Sequence, residues 1–173
     1  MAFLDERGFR LKTTRVRTWG RCGQTPVVST RLRWEHLSVI GAITTVGQFF
    51  QHTHHGAVRS PQVVAFLKHL LRHIVGEVVV VLDRAMIHRA KVVQAFVARH
   101  ERLSLVPLPG DAPELNPIEL VWADIKRNVL RNFCAPTVRT LKAPLTLGWQ
   151  QIRRKYRPLA FIRATPLTAS LLT

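Results

Sequence analysis

The chain has 173 residues, 47% apolar and 8% aromatic, enough to bury a sizeable core as one domain and to exclude disorder as the default state. Its 26 Lys and Arg against 10 Asp and Glu leave a formal charge of +16. The simplest physical reading is a polyanion partner, because phosphates neutralised by cations release condensed counterions. Charge alone does not separate that reading from a ribosome-like structural role or from non-specific adhesion. Cys22 and Cys134 show neither a metal spacing nor a disulfide framework, which points to a reducing cytoplasm. The start, MAFLDERGF, has an acidic pair by residue 6 and no apolar h-region, so it does not read as a signal peptide. The longest uncharged stretch, residues 37–58, has an apolar part too short to span a bilayer. A soluble cytoplasmic protein with no membrane partner is expected.

In chain order, MAFLD reads as a very short strand ending at Asp5, with a turn at Gly8. TPVVST (25–30) and HLSVIGAITT (36–45) are β-branched and partly alternating, as in a meander. QHTHHG (51–56) reads as a polar loop or hairpin end whose histidines lack a metal spacing. From Pro61, apolar residues recur at helical spacing; Ser60 is the expected N-cap and Gly76 the stop. The run VVVVL (78–82) predicts a parallel strand buried on both faces. A helix with Val92, Val93, Phe96 and Val97 inward follows, then a short strand at 103–108. A Pro-rich acidic turn opens a helix over 117–131, and a basic, helical segment runs from Thr137 to about Tyr156. A β-meander feeding βαβ units makes a mixed sheet with helices on both faces. The expected division is 1–133 as the main domain and 134–173 as a basic C-terminal segment.

Three acids stand out. Asp83 follows a buried strand directly; it reads as an N-cap for the next helix or as a hard oxygen ligand for Mg²⁺. Asp5 sits at a strand end beside Glu6, and alternation turns those two side chains to opposite faces. In N-P-I-E, Asn116 and Glu119 fit a capping box, while Glu119 also lies on the helix flank with Lys126 two turns along. Spacing alone does not choose between cap and ligand. Convergent carboxylates inside a basic chain suit a site that holds metal ions for phosphoryl transfer and grips a nucleic-acid backbone around them.

The same residues carry a resemblance. FLDERGFRLKTTRVRTWGRCGQTPVV, VVVVLDRAMIHRAK and LPGDAPELNPIELVWADIKR resemble three blocks of mariner-like bacterial insertion-sequence transposases, a DDE superfamily. The likeness runs over roughly residues 3–131. It implies an RNase H-like α/β fold and a catalytic metal triad of Asp5, Asp83 and Glu119, with Glu6, Asp111 and Glu114 as non-ligands. It further implies two Mg²⁺ ions, for which Mn²⁺ would substitute, and cleavage of DNA at element ends followed by strand transfer to target DNA. Arg84, His88, Lys126 and Arg127 are the expected nucleic-acid contacts. Arg84 departs from the family, which has Asn after its second Asp. Trp122 is expected in the core, beside the acidic site. A helix-turn-helix is missing from this stretch and Asp5 lies four residues from the start. A truncated or split-frame remnant is therefore expected, with a separately encoded helix-turn-helix part and a homodimer as partners and the nucleoid as its location. A non-catalytic basic DNA-binding module and a stand-alone metal-dependent nuclease are the alternatives.

Overall fold

The computed structural model describes residues 1–11, 16–27, 34–110, 112–154 and 157–165. A five-stranded sheet of order β3-β2-β1-β4-β5 organises it. β1 (Ala2–Arg10), β2 (His36–Thr44) and β3 (Phe49–His55) form an antiparallel meander, and β4 (Val78–Leu82) and β5 (Leu103–Pro107) extend it in parallel. Helices α1 (Ser60–His73) and α2 (Lys91–Ala98) make the crossovers. α3 (Ile118–Asp124) runs on into a π turn (Ile125–Val129), and α4 (Val138–Arg154) and α5 (Arg157–Arg163) follow.

Alternation along the strands splits the core in two. Leu4, Ile40, Val80 and Leu82 pack against Val63, Phe66 and Leu67 of α1 and Val93 of α2. Phe3, Phe9, Val39 and Val81 pack on the other face against Trp122 of α3 and Leu141, Leu145 and Trp149 of α4. The apolar stripe of α4 therefore completes the same core as the sheet, while Arg139, Lys142, Arg153 and Arg154 stay exposed. The residue pattern of α4, apolar at 138, 141, 145, 149 and 152, is what presses one face inward.

Several local expectations are corrected. β1 does not end at Asp5: it runs nine residues to Arg10, because β2 offers a partner for every one of them, and Gly8 lies in the ladder opposite Ser38 rather than in a turn. The first strand is therefore not short. QHTHHG is mostly an edge strand, since β3 zips onto β2 from Phe49 to His55. Its histidines serve as aromatic packing: His52 meets Phe66 edge-on and lies 4.6 Å, centroid to centroid, from His69. Burial, and then His54, lower the His52 pKa accordingly. Arg59, not Ser60, is the N-cap of α1; Ser60 is already helical and the Gln62 side chain accepts the Arg59 N–H at 3.1 Å. α1 stops at Ile74, two residues before Gly76. Val92 points outward, 49% exposed, so α2 buries only Val93 and Phe96. Residues 25–27 join no strand, and the rest of that expected strand, like Asp111, lies outside the described residues.

Candidate active site

The site follows from strand register. β1 pairs with β4 in parallel at Ala2↔Val80 and Phe3↔Val81, so continuing the register brings Asp5 level with Asp83, the first residue past β4. Asp5 is mid-strand relative to β2 but stands where β1 leaves its parallel neighbour. That is the carboxyl edge of the parallel strands, where ligands gather in open α/β sheets.

The odd residues of β1 face α3, so Asp5 meets Trp122, whose Nε1–H donates to its Oδ2 at 2.7 Å. The approach requires glycine at position 41, directly opposite Asp5 in β2: a Cβ there would lie 2.7 Å from Trp122 Cη2. Asn116 fixes the entrance of α3 by donating from Nδ2 to the Leu4 carbonyl at 3.1 Å. With that entrance pinned to β1, Glu119 stands one turn before Trp122 and is carried to the Asp5 side. No capping box forms: Pro117 is the N-cap, the Asn116 N–H goes to the Pro113 carbonyl, and the Glu119 carboxylate pairs with Arg7 at 3.6 Å.

Asp83 does not cap α2 either, because α2 begins at Lys91. Its Oδ1 accepts the Ala85 N–H at 2.9 Å, a local Asx-type turn, and takes His88 Nδ1 at 2.9 Å. The other ring nitrogen, Nε2, reaches Glu6 Oε1 at 3.0 Å. Two carboxylate acceptors on two ring nitrogens suit the doubly protonated imidazolium. Burial works against that charge, but the Glu6 hydrogen bond and the charges of Glu6 and Asp83 outweigh it and raise the His88 pKa.

Asp5, Asp83 and Glu119 all line one cleft of about 420 Å³, walled by Arg84, Leu108, Pro109 and Asn116. Burial pushes the Asp5 carboxyl from 3.8 up to about 7; Glu119 and Glu6 add to the rise, against the Trp122 hydrogen bond. The three carboxylates share the cleft without closing on a point: among the described residues no three His, Cys, Asp or Glu side chains are drawn together around one centre. On the far side of Asp83 and Arg84, a second cavity of about 450 Å³ is lined by Arg84, Arg89, Gln94 and Leu105. The described residues contain no helix long and apolar enough to cross a membrane.

The family model for the DDE superfamily endonuclease matches residues 1–142. The chain belongs to that family. Among solved structures, this DDE-family chain superimposes on the Mos1 mariner paired-end complex with Mg at a TM-score of 0.69 and 16% identity, covering 98% of this chain and 54% of that one. The paired-end complex with Mn gives 0.68 at 16% identity, with the same coverage. The catalytic domain of the Mos1 mariner transposase gives 0.58 at 13%, over 98% and 80%. At such identities the likeness establishes the fold, which is RNase H-like α/β as expected. The chain spans about half the length of the Mos1 transposases it matches. A search of curated proteins by sequence finds no match.

The structure thus brings the three singled-out acids to one cleft and keeps Glu114 out of its lining. Arg84 lies at the cleft wall, its Nε–H donating to the Leu108 carbonyl at 3.1 Å. Lys126 is half-buried beside Arg7 and Glu119; burial and then the Arg7 charge lower its pKa, and Glu119 opposes them. Arg127 is exposed. His88 is not where a phosphate contact was expected: it is 2% exposed and held by two carboxylates, because the turn after β4 folds it inward onto Glu6. Trp122 is in the core beside the acids as expected, but its indole donation to Asp5 was not legible in the sequence. Reading Glu6 and Asn116 as bystander and cap missed what they touch across the sheet. Alternation already sent Glu6 to the face opposite Asp5, but nothing local announced that His88 would wait there.

Proposed function

We propose that this chain is the catalytic domain of a mariner-like transposase, cutting DNA strands and joining them to target DNA with divalent ions held by Asp5, Asp83 and Glu119. The observation that carries the reading is the shared cleft. Three carboxylates from β1, the end of β4 and α3 line it inside a chain of charge +16. The donor set fits hard dications, which prefer carboxylate oxygen. Burial has already desolvated Asp5 and raised its pKa to about 7, a cost that a bound cation reverses. Two Mg²⁺ ions, or Mn²⁺ in their place, would when bound activate water and stabilise the leaving 3′-oxygen.

The chain's own residues do the rest. Trp122 fixes one Asp5 oxygen, Asn116 locks the α3 entrance to β1, and Gly41 admits the indole between them. Arg84 at the wall, with Lys126 and Arg127 beyond Glu119, offers cations to the phosphodiester backbone on both sides of the acids. In this reading, recognition of element ends rests with a helix-turn-helix part and with pairing of two copies, and the enzyme works at the nucleoid. The test is nicking of supercoiled plasmid by the purified chain in Mg²⁺ or Mn²⁺, compared with Asp83→Asn. Nicking by wild type that the variant loses supports the reading. Binding without nicking leaves a basic DNA-binding module, and equal nicking by the variant removes Asp83 from the site. Joining of a pre-cut element end to target DNA separates a transposase from a stand-alone nuclease.

A further inference from the structure

Asp83 has an exposed carboxylate at the point where β4 gives out. Its side chain is 53% exposed, and the strand ladder ends one residue earlier at Leu82. Left alone, such a carboxylate would spread over several rotamers. It is not left alone. His88 Nδ1 sits 2.9 Å from its Oδ1 and 3.3 Å from its own backbone carbonyl, so Asp83 is gripped at two points by one ring.

The ring is itself immobilised. It is 2% exposed; its backbone N–H donates to the Ala85 carbonyl at 3.0 Å, and its carbonyl accepts from Gln94 Nε2 at 3.0 Å. Its far nitrogen, Nε2, is 3.0 Å from Glu6 Oε1, and Glu6, 14% exposed, hangs from β1, which β2 pairs along its whole length. The contact joins residues 82 positions apart and reaches Asp83 from the face of the sheet opposite Asp5.

We propose that Glu6 and His88 are positioning residues, a fixed brace that runs from the centre of β1 to Asp83 and sets the carboxylate for a divalent ion. The inference rests on Asp83 being a ligand, as proposed above. It assigns distinct tasks to the adjacent acids of β1: Asp5 faces the cleft directly, while Glu6 acts on the same cleft through the opposite face of the sheet. Partners that orient a metal-binding side chain commonly govern affinity about as strongly as a tenfold to hundredfold change.

The experiment measures Mn²⁺ binding alone, without DNA, by calorimetry or by the resonance signal of free Mn²⁺. His88→Asn places an amide nitrogen where Nδ1 stood and keeps the Asp83 contact. His88→Gln places its amide near Nε2 and keeps only Glu6. The brace requires His88→Gln and His88→Ala, which lose the Asp83 contact, to bind Mn²⁺ about tenfold more weakly or worse, and His88→Asn, which keeps that contact but loses Glu6, to show a smaller loss. Glu6→Ala, which frees the far end of the ring, weakens binding to the same smaller extent as His88→Asn. Wild-type affinity in His88→Gln, or equal losses in the Asn and Gln variants, would overturn the brace, since a merely structural histidine does not distinguish the two amides. Asp83→Asn separates the two readings. If it binds Mn²⁺ as wild type does, Asp83 is no ligand and both readings fall. If it loses binding while His88→Gln does not, the brace alone falls.

Discussion

Replacing Asp5 by Asn should stabilise the metal-free protein, and only above a definite pH. The Asp5 carboxyl is 9% exposed and pushed from 3.8 to about 7, first by burial and then by Glu119 and Glu6. Between those two pH values the native protein holds a proton that the unfolded chain has released. The stability that proton represents is fully present below about pH 4, drains away as the pH rises to about 7, and stays lost above it. Roughly three units at ~1.4 kcal/mol each make the loss about 4 kcal/mol. An Asn amide carries no charge at any pH, and its carbonyl still accepts the Trp122 N–H. In a domain of this size ~1 kcal/mol moves Tm by about 2–4 °C, so Asp5→Asn should melt about 10 °C above wild type at pH 8 and level with it near pH 3. Melts in EDTA across that range, read as the difference between the two proteins, cancel every other titrating group. A difference that does not change with pH would refute the reasoning. So would a difference that widens toward acid. Saturating Mn²⁺ should close the gap by raising wild type alone.

Three further substitutions probe the frame around that carboxylate. Trp122→Phe keeps an aromatic ring in the core but deletes the 2.7 Å donor to Asp5; hydrogen bonds to charged groups contribute about 1.5–3 kcal/mol, so the Asp5 pKa, followed by NMR, should rise by about 1–2 units. Gly41→Ala places a Cβ 2.7 Å from Trp122 Cη2, and such overpacking costs about 1–3 kcal/mol; denaturant unfolding should show it together with a disturbed Asp5 titration. Arg102 donates to the carbonyls of Leu71, Ile74 and Gly76 and so ties off the end of α1; Arg102→Ala should cost about 1–3 kcal/mol and speed amide exchange in the last turn of that helix without altering Mn²⁺ binding.

The sequence by itself determined the layering. The apolar run 78–82 is a parallel strand because valines with no polar alternation leave no face for water, and it is indeed flanked by β1 and β5. The helical spacing after Pro61 found α1, since a stripe repeating every 3.6 residues has few other uses. Family likeness also picked out Asp5, Asp83 and Glu119, which the structure brings to one cleft.

Tertiary structure decided what those acids touch. β1 is nine residues long because β2 pairs it throughout, which no local pattern in AFLDERGFR with its central charges could announce. The histidines of 49–55 look like loop in sequence, yet the half-buried His52 imidazole packs as an aromatic ring against Phe66 and His69. Glu119 spelled out a capping box, but the Asn116 N–H was claimed by the Pro113 carbonyl and the glutamate was free to turn to Arg7. Glu6 and His88 met across 82 positions of chain. Periodicity reports which face a side chain takes, and it is silent on what stands opposite, because that depends on register and crossover geometry that only the folded sheet supplies.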